Sequence, residues 1–215
     1  MIESATGIIL RTRPLTDTSL IIHWLTPELG RLATVAKGAR RAKSPFAGKL
    51  DLFYEGLFSF ARSRKTDLHT LREIVLRETR PAIRENLLLL QRAAYAGAFI
   101  EQMTETETPL ADVFYLYRNF LKRLAENKSS AQTIFAFELK LLDELGLSPD
   151  LDNSGLTAGT KKIASLLLRN DFAATENVKP AKSQVVELRQ FLHGFLIFHL
   201  GKLPKGRVAA LSEAI

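Results

Sequence analysis

Over the first 80 residues, apolar positions fall in short runs rich in β-branched and aromatic side chains, each closed by Gly, Pro or a polar turn. Residues 6–11 (TGIILR) and 19–26 (SLIIHWLT) read as strands on either side of a turn containing Pro14. Thr26-Pro27-Glu28-Leu29-Gly30 supplies a second turn, with Pro27 presetting φ and Gly30 open to positive φ. Residues 31–36 (RLATVA) then return as the other arm of a hairpin. Residues 37–49 form a loop punctuated by Gly38, Pro45 and Gly48. Two further strands, 50–61 (LDLFYEGLFSFA) and 67–76, are joined by the basic turn Arg62-Ser63-Arg64-Lys65. Five strands with short turns predict a small barrel, because closure removes the exposed edges.

Near Arg80-Pro81 the period changes to that of a helix. Residues 86–103 carry Leu87, Leu90, Ala94, Ala98 and Phe99 on a broad, buried face. Thr108-Pro109 has the form of an N-cap with proline at the first helical position. Val113, Leu116, Tyr117, Phe120, Leu121 and Leu124 then mark a second helix. Ser129 or Ser130 caps a third, with Ile134, Phe135, Glu138, Leu141, Leu142 and Leu145 along it and Gly146 and Pro149 ending it. A polar loop over 150–159, a short helix over 160–168, a loop over 177–182 and a long helix over 183–200 complete the chain. The fold class is α+β: a five-stranded barrel domain, 1–80, followed by an all-α domain, 81–215.

Charge changes this picture by giving the two parts different characters. The net charge is +7, yet residues 1–80 hold 14 Lys and Arg against 8 Asp and Glu, and residues 81–215 hold 16 against 15. Between Arg31 and Leu50 stand Arg31, Lys37, Arg40, Arg41, Lys43 and Lys49 with no acidic residue. Such a field draws polyanions, nucleic acid first and an anionic membrane or acidic protein tail second. Hydrophobic content of 46% with 25% charged residues is that of a globular protein. There is no cysteine, which excludes disulfides, thiolate zinc sites and cysteine nucleophiles and suits a reducing cytoplasm. No export signal and no membrane-spanning run is visible, so a cytoplasmic location is expected.

Enzymatic motifs are missing. Residues 38–44 (GARRAKS) lack the glycine that a phosphate-binding P-loop needs before its Lys-Ser pair, Ala42 standing there instead. His23, His69, His193 and His199 form no ligand or acid–base set; His193 and His199, six apart, lie on different faces of a helix. His23 alternates with Ile22 and Trp24 on a strand, which suits a barrel-surface or satisfied core position. Asp150 and Asp152 lack the later ligands of a calcium loop, and there is no Gly-x-Ser-x-Gly nucleophile elbow. The chain is read as no enzyme, with no cofactor and no metal. Phe46, Phe53, Tyr54, Phe58 and Phe60 interleave with the cations, and rings beside a cationic groove stack bases of single strands. Most of these alternate as barrel core; Phe46, in the loop, is the ring expected to meet a base.

Several segments resemble the bacterial RecO recombination mediators: TGIILRTR (6–13), DTS (17–19), LT (25–26), GR (30–31) and above all VAKGARRAKS (35–44). FELKLLDELG (137–146) with PDLD (149–152), and FLHGFLIFHLG (191–201), are similar to later helices of that family. The resemblance implies an N-terminal OB-fold and a helical C-terminal domain; the near-neutral charge and abundant Phe and Leu of that domain suggest a protein-docking surface, with extra DNA surface as a further expectation. It implies binding of single- and double-stranded DNA, annealing of complementary strands, and help to RecA, together with RecR, in displacing single-strand-binding protein. It also implies nucleoid association. By motif position, Lys37, Arg40, Arg41 and Lys43 are implied DNA contacts, and Arg11, Arg13, Arg31, Phe46 and Lys49 complete the expected set. Single-strand-binding protein would be met through its acidic C-terminal tail. Many members carry two cysteine pairs after the segment matching 149–152; here NSGLTAG (153–159) stands there, so no zinc-finger insertion is expected. The other reading is a non-enzymatic adaptor whose basic barrel captures an acidic protein tail.

Overall fold

One strand, β1 (Ile2–Pro14), closes the first unit by serving two neighbours. Its first half pairs antiparallel with β4 (Glu55–Ala61), and its second half pairs with β2 (Leu20–Thr26) after an irregularity between Ile9 and Arg11. In the computed structural model, which describes residues 1–126 and 128–212, β3 (Gly30–Ala36) and β5 (Leu68–Glu78) complete a closed barrel in the order β1-β2-β3-β5-β4. Only β3 and β5 run parallel, through Ala33–Leu68, Thr34–His69 and Val35–Thr70. This is the five-stranded Greek-key barrel of an OB-fold. The period-2 pattern puts Ile22, Trp24, Leu32, Phe58 and Phe60 inside. Trp24 stacks on Phe58 with ring centroids 4.0 Å apart, and its indole N–H donates to the Thr34 hydroxyl at 2.8 Å.

The strand expected over 50–61 begins only at Glu55. Phe53 has a left-handed backbone (φ 65°) and a ring only 1% exposed, so the chain turns there to bury the ring. The Phe53 carbonyl accepts from the buried Arg80 guanidinium at 2.8 Å, and Arg80 also pairs with the buried Glu55 at 2.5 Å. Arg118 reaches the same Glu55 carboxylate at 3.0 Å.

By packing, the chain divides into Met1–Arg80 with Thr104–Arg118, and Pro81–Met103 with Asn119–Ile215. Residues 104–118, read from sequence as helical-domain chain, thus count with the barrel. The Glu107 amide donates to the Arg31 carbonyl at 2.8 Å and the Leu110 amide to the Pro27 carbonyl at 3.1 Å. The Glu107 carboxylate lies 2.7 Å from His69 Nε2 and 3.0 Å from Arg62. Gly30 (φ 64°) is required here twice over, since a Cβ would stand 1.7 Å from the Thr108 carbonyl oxygen. Because 108–110 are spent on the barrel, helix α3 (Ala111–Ala125) starts after Leu110 and not at Thr108-Pro109.

Seven α-helices follow β5 among the described residues. α1 (Pro81–Glu85) and α2 (Leu87–Met103) precede α3. α4 (Ala131–Glu144), α5 (Ala158–Arg169), α6 (Lys182–Leu200) and α7 (Arg207–Ala210) come after it. Ser130 caps α4, its amide donating to the Thr133 hydroxyl at 3.1 Å, and the helix's residues from Thr133 to Leu142 are all buried except Lys140. It packs against α2, α5 and α6. Within this apolar helix Glu138 is fully buried, holding Arg207 through two hydrogen bonds of 2.7 and 2.9 Å and accepting from the Tyr95 hydroxyl at 2.5 Å. That clamp fixes α7, which is four residues long. Gly201 (φ 68°) ends α6. In the loop after α4 the Asp150 carboxylate accepts from the Asn153 amide and side chain at 3.1 and 2.6 Å, which holds its carboxyl below the usual range. Among the described residues no helix is long and apolar enough to cross a membrane, and no group of three His, Cys, Asp or Glu is placed to hold a metal ion.

Candidate nucleic-acid interface

The acid-free stretch after β3 is built from successive tight turns. Backbone amides of Ala39, Arg41, Ser44, Ala47 and Lys49 donate to the carbonyls three residues before them, at 3.0–3.3 Å. Gly38 (φ 69°) and Gly48 (φ 70°) open and close the series. Two bonds tie its base to the turn between β1 and β2: the Arg40 amide to the Thr18 carbonyl at 2.9 Å, and the Gly38 amide to the Ser19 hydroxyl at 3.4 Å. The loop is therefore seated beside the end of β1 that carries Arg13.

With the backbone so occupied, Lys37, Arg40, Arg41 and Lys43 are exposed and Lys49 is partly so. Among the described residues no carboxylate pairs with any of the five. Arg40 makes one long side-chain contact, 3.4 Å to the Thr16 carbonyl. Arg62, by contrast, is spent on Glu3 at 2.7 Å and on Glu107. A row of unneutralised cations on a fixed backbone is an anion-binding surface, because little desolvation or ordering opposes the approach of phosphate.

The ring of Phe46 does not belong to that surface. It is 7% exposed and sits in the barrel core with Trp24, Phe58, Phe60 and Leu71. The expectation that it meets a base is corrected on this point: the turns on either side carry residue 46 back over the barrel mouth, where burying an apolar ring outweighs leaving it in water. Phe46 is the anchor of the loop.

The other expected contacts lie on the outer face of the first three strands. β2 turns Ile22 and Trp24 inward, so His23 faces out. The register sets His23 opposite Arg11 on β1 and Ala33 on β3. Arg13 and Arg31, each two residues along, share that face. Arg11 and Arg13 are exposed; Arg31 is half-buried, its guanidinium donating to the Thr104 hydroxyl at 2.7 Å and to the Thr104 carbonyl. His23 was not among the contacts expected from sequence, where its alternation with Ile22 and Trp24 left a barrel-surface or a satisfied core position open. Burial first, and then the charges of Arg11, Arg13 and Arg31, push its pKa down to about 4. The structure thus groups Arg11, Arg13, Arg31 and His23 on one sheet face, with Lys37, Arg40, Arg41, Lys43 and Lys49 on the adjoining loop.

Two family models match the chain: Recombination protein O N terminal over residues 1–80, and Recombination protein O C terminal over residues 84–158. A DNA repair protein RecO of Bacillus pumilus is 28% identical over 210 residues, 94% of this chain and 81% of the relative. One of Rhodopirellula baltica is 28% identical over 184 residues, 84% and 68% of the two chains. One of Coxiella burnetii is 36% identical over 140 residues, 65% and 58%.

Proposed function

The chain belongs to the RecO family of DNA repair and recombination proteins, and from that premise we propose that its barrel binds the phosphate backbone of single- and double-stranded DNA. The observation that carries this reading is the turn-held loop with five cations that no described carboxylate neutralises. With its cations on two strands at once, the protein lowers their mutual repulsion, which favours annealing without covalent chemistry. We extend the proposal to the mediator role: with RecR, the protein assists RecA in loading on strands coated by single-strand-binding protein, and the near-neutral helical unit docks protein partners. Sequence preference is slight, since phosphate contacts position and do not specify.

Binding measured by gel shift against salt tests the reading. If four to six cations meet phosphates, the slope of log affinity against log salt for a single strand is roughly −3 to −4, at about −0.7 per contact. Affinity then falls on the order of a hundredfold between about 50 and 200 mM salt. A flat salt response, or displacement by an acidic tail peptide with no affinity for oligonucleotide, overturns it in favour of a tail-binding adaptor.

Phe46→Leu separates anchoring from stacking. Leucine keeps an apolar plug in the core, at a cost of about 1 kcal/mol in urea unfolding, and DNA affinity stays at the wild-type level. A stacked ring would instead lose ~1–3 kcal/mol of binding.

A further inference from the structure

The turn from β1 to β2 has a fixed backbone and an apolar tip. The Leu15 and Thr16 amides donate to the Ser19 carbonyl at 2.9 and 3.4 Å, and the Thr18 and Ser19 amides to the Thr16 hydroxyl at 3.3 and 3.1 Å. Three bonds from the cationic loop seat it: the Arg40 amide on the Thr18 carbonyl, the Gly38 amide on the Ser19 hydroxyl, and the Arg40 guanidinium on the Thr16 carbonyl. Turns this tight are ordinarily built from Gly, Pro and small polar residues, yet Leu15 stands here 46% exposed, next to the exposed Pro14. Met1 and Ile2 are exposed at the other end of β1, and Leu57 and Val75 are paired with each other across β4 and β5. Leu15 is the apolar side chain that the hydrogen bonds bring beside the cations. Charge is segregated around it. Arg13 precedes it on β1 and Arg40 adjoins it from the loop, both exposed, while Asp17 is exposed on the tip itself. Among the described residues Asp17 is in no ion pair.

We propose that the β1–β2 turn is the base-facing element of the barrel: Leu15 seats against unstacked bases of a single strand, and Asp17 keeps the phosphates on Arg13 and Arg40. This rests on the reading of the barrel as a DNA-binding module. A phosphate is drawn to the two guanidinium groups and repelled by the carboxylate between them, so a strand crossing the turn lies with its bases on the tip. Leucine and proline are side chains that enter between base steps, and covering Leu15 removes apolar surface from water. In a duplex the bases are paired and stacked, and unstacking them offsets the gain. The turn therefore favours single over double strands through a contact that salt does not screen. Because every base has an apolar face, the contact reads no sequence.

Fluorescence anisotropy with labelled single- and double-stranded oligonucleotides, each titrated with salt, reads the preference and the slope together. Leu15→Ser weakens single-strand binding roughly fivefold, leaves duplex binding at the wild-type level and keeps the salt slope. Leu15→Phe, which keeps an apolar tip, binds single strands at least as well as the wild type. Asp17→Lys adds a phosphate contact, steepens the single-strand slope by about 0.7 and narrows the preference for single strands. An oligonucleotide carrying 2-aminopurine reports unstacking directly: its emission rises on binding the wild type and rises less with Leu15→Ser. Unchanged single-strand affinity in Leu15→Ser, or an equal loss on both substrates, overturns the proposal while leaving DNA binding intact. So does a preference that Asp17→Lys leaves as wide as before. Failure of the wild type to bind either oligonucleotide overturns the underlying reading instead.

Discussion

Arg40→Glu with Arg41→Glu weakens single-strand binding at about 50 mM salt on the order of a hundredfold, because two cations leave the loop and two anions replace them. The salt slope of what binding remains is shallower by roughly 1.4, from two lost contacts at about −0.7 each. The fold is not at stake: both side chains are exposed, and the loop is held by backbone turns and by Phe46. Unfolding of the double variant is therefore expected to follow the wild type, within ~0.5 kcal/mol per surface substitution. Anisotropy at low salt, with unfolding measured on the same preparation, decides it. Wild-type affinity in a folded double variant would remove the loop from the interface.

The second large effect is on stability. Glu138→Ala strands the Arg207 guanidinium, 4% exposed, and the Tyr95 hydroxyl in the interior of the helical unit. Loss of one partner from a buried ion pair costs about 3–5 kcal/mol. For a chain of this size that lowers the melting temperature on the order of 10 °C. A compensated variant, Glu138→Leu with Arg207→Met, regains most of the loss, since two well-packed apolar groups leave no orphaned charge. Thermal unfolding followed by circular dichroism measures both; a loss below about 1 kcal/mol for Glu138→Ala would mean that the clamp is not a source of stability.

Glu138 also marks how far the sequence can be read. Its position on the apolar stripe of α4 was visible from spacing, and a carboxylate there demands a partner. Nothing local names Arg207, which is brought to it only by tertiary packing. The barrel was legible because alternation and turn residues are short-range signals. Its exceptions have long-range causes. Residues 50–54 are rich in apolar and aromatic side chains and read as the start of a strand, but Phe53 turns into the left-handed region where Arg80, distant in sequence, caps its carbonyl. Residues 108–110 carry a good helix start, yet their backbone is claimed by the β2–β3 turn.

The candidate site divides in the same way. Clustering of cations in 37–49 is a property of the sequence itself, and the structure finds Lys37, Arg40, Arg41 and Lys43 exposed and Lys49 partly so. Phe46 was misread because a lone ring in a polar loop carries no periodicity; only the turns decide which way it faces. His23 was left out for a different reason. Its charged neighbours sit on two other strands, and strand register, not sequence spacing, brings them together.

The way the loop is built bears on timing as well as affinity. A segment closed by five turns and pinned through one buried ring is ordered before any strand arrives. Association then spends little conformational entropy, and its rate is set by diffusion in the protein's own field. On the proposed reading, contacts confined to phosphates would leave no base-specific lock to be undone. In kinetic terms such a barrel would capture a strand quickly and release it quickly, and would be suited to passing DNA on more than to keeping it.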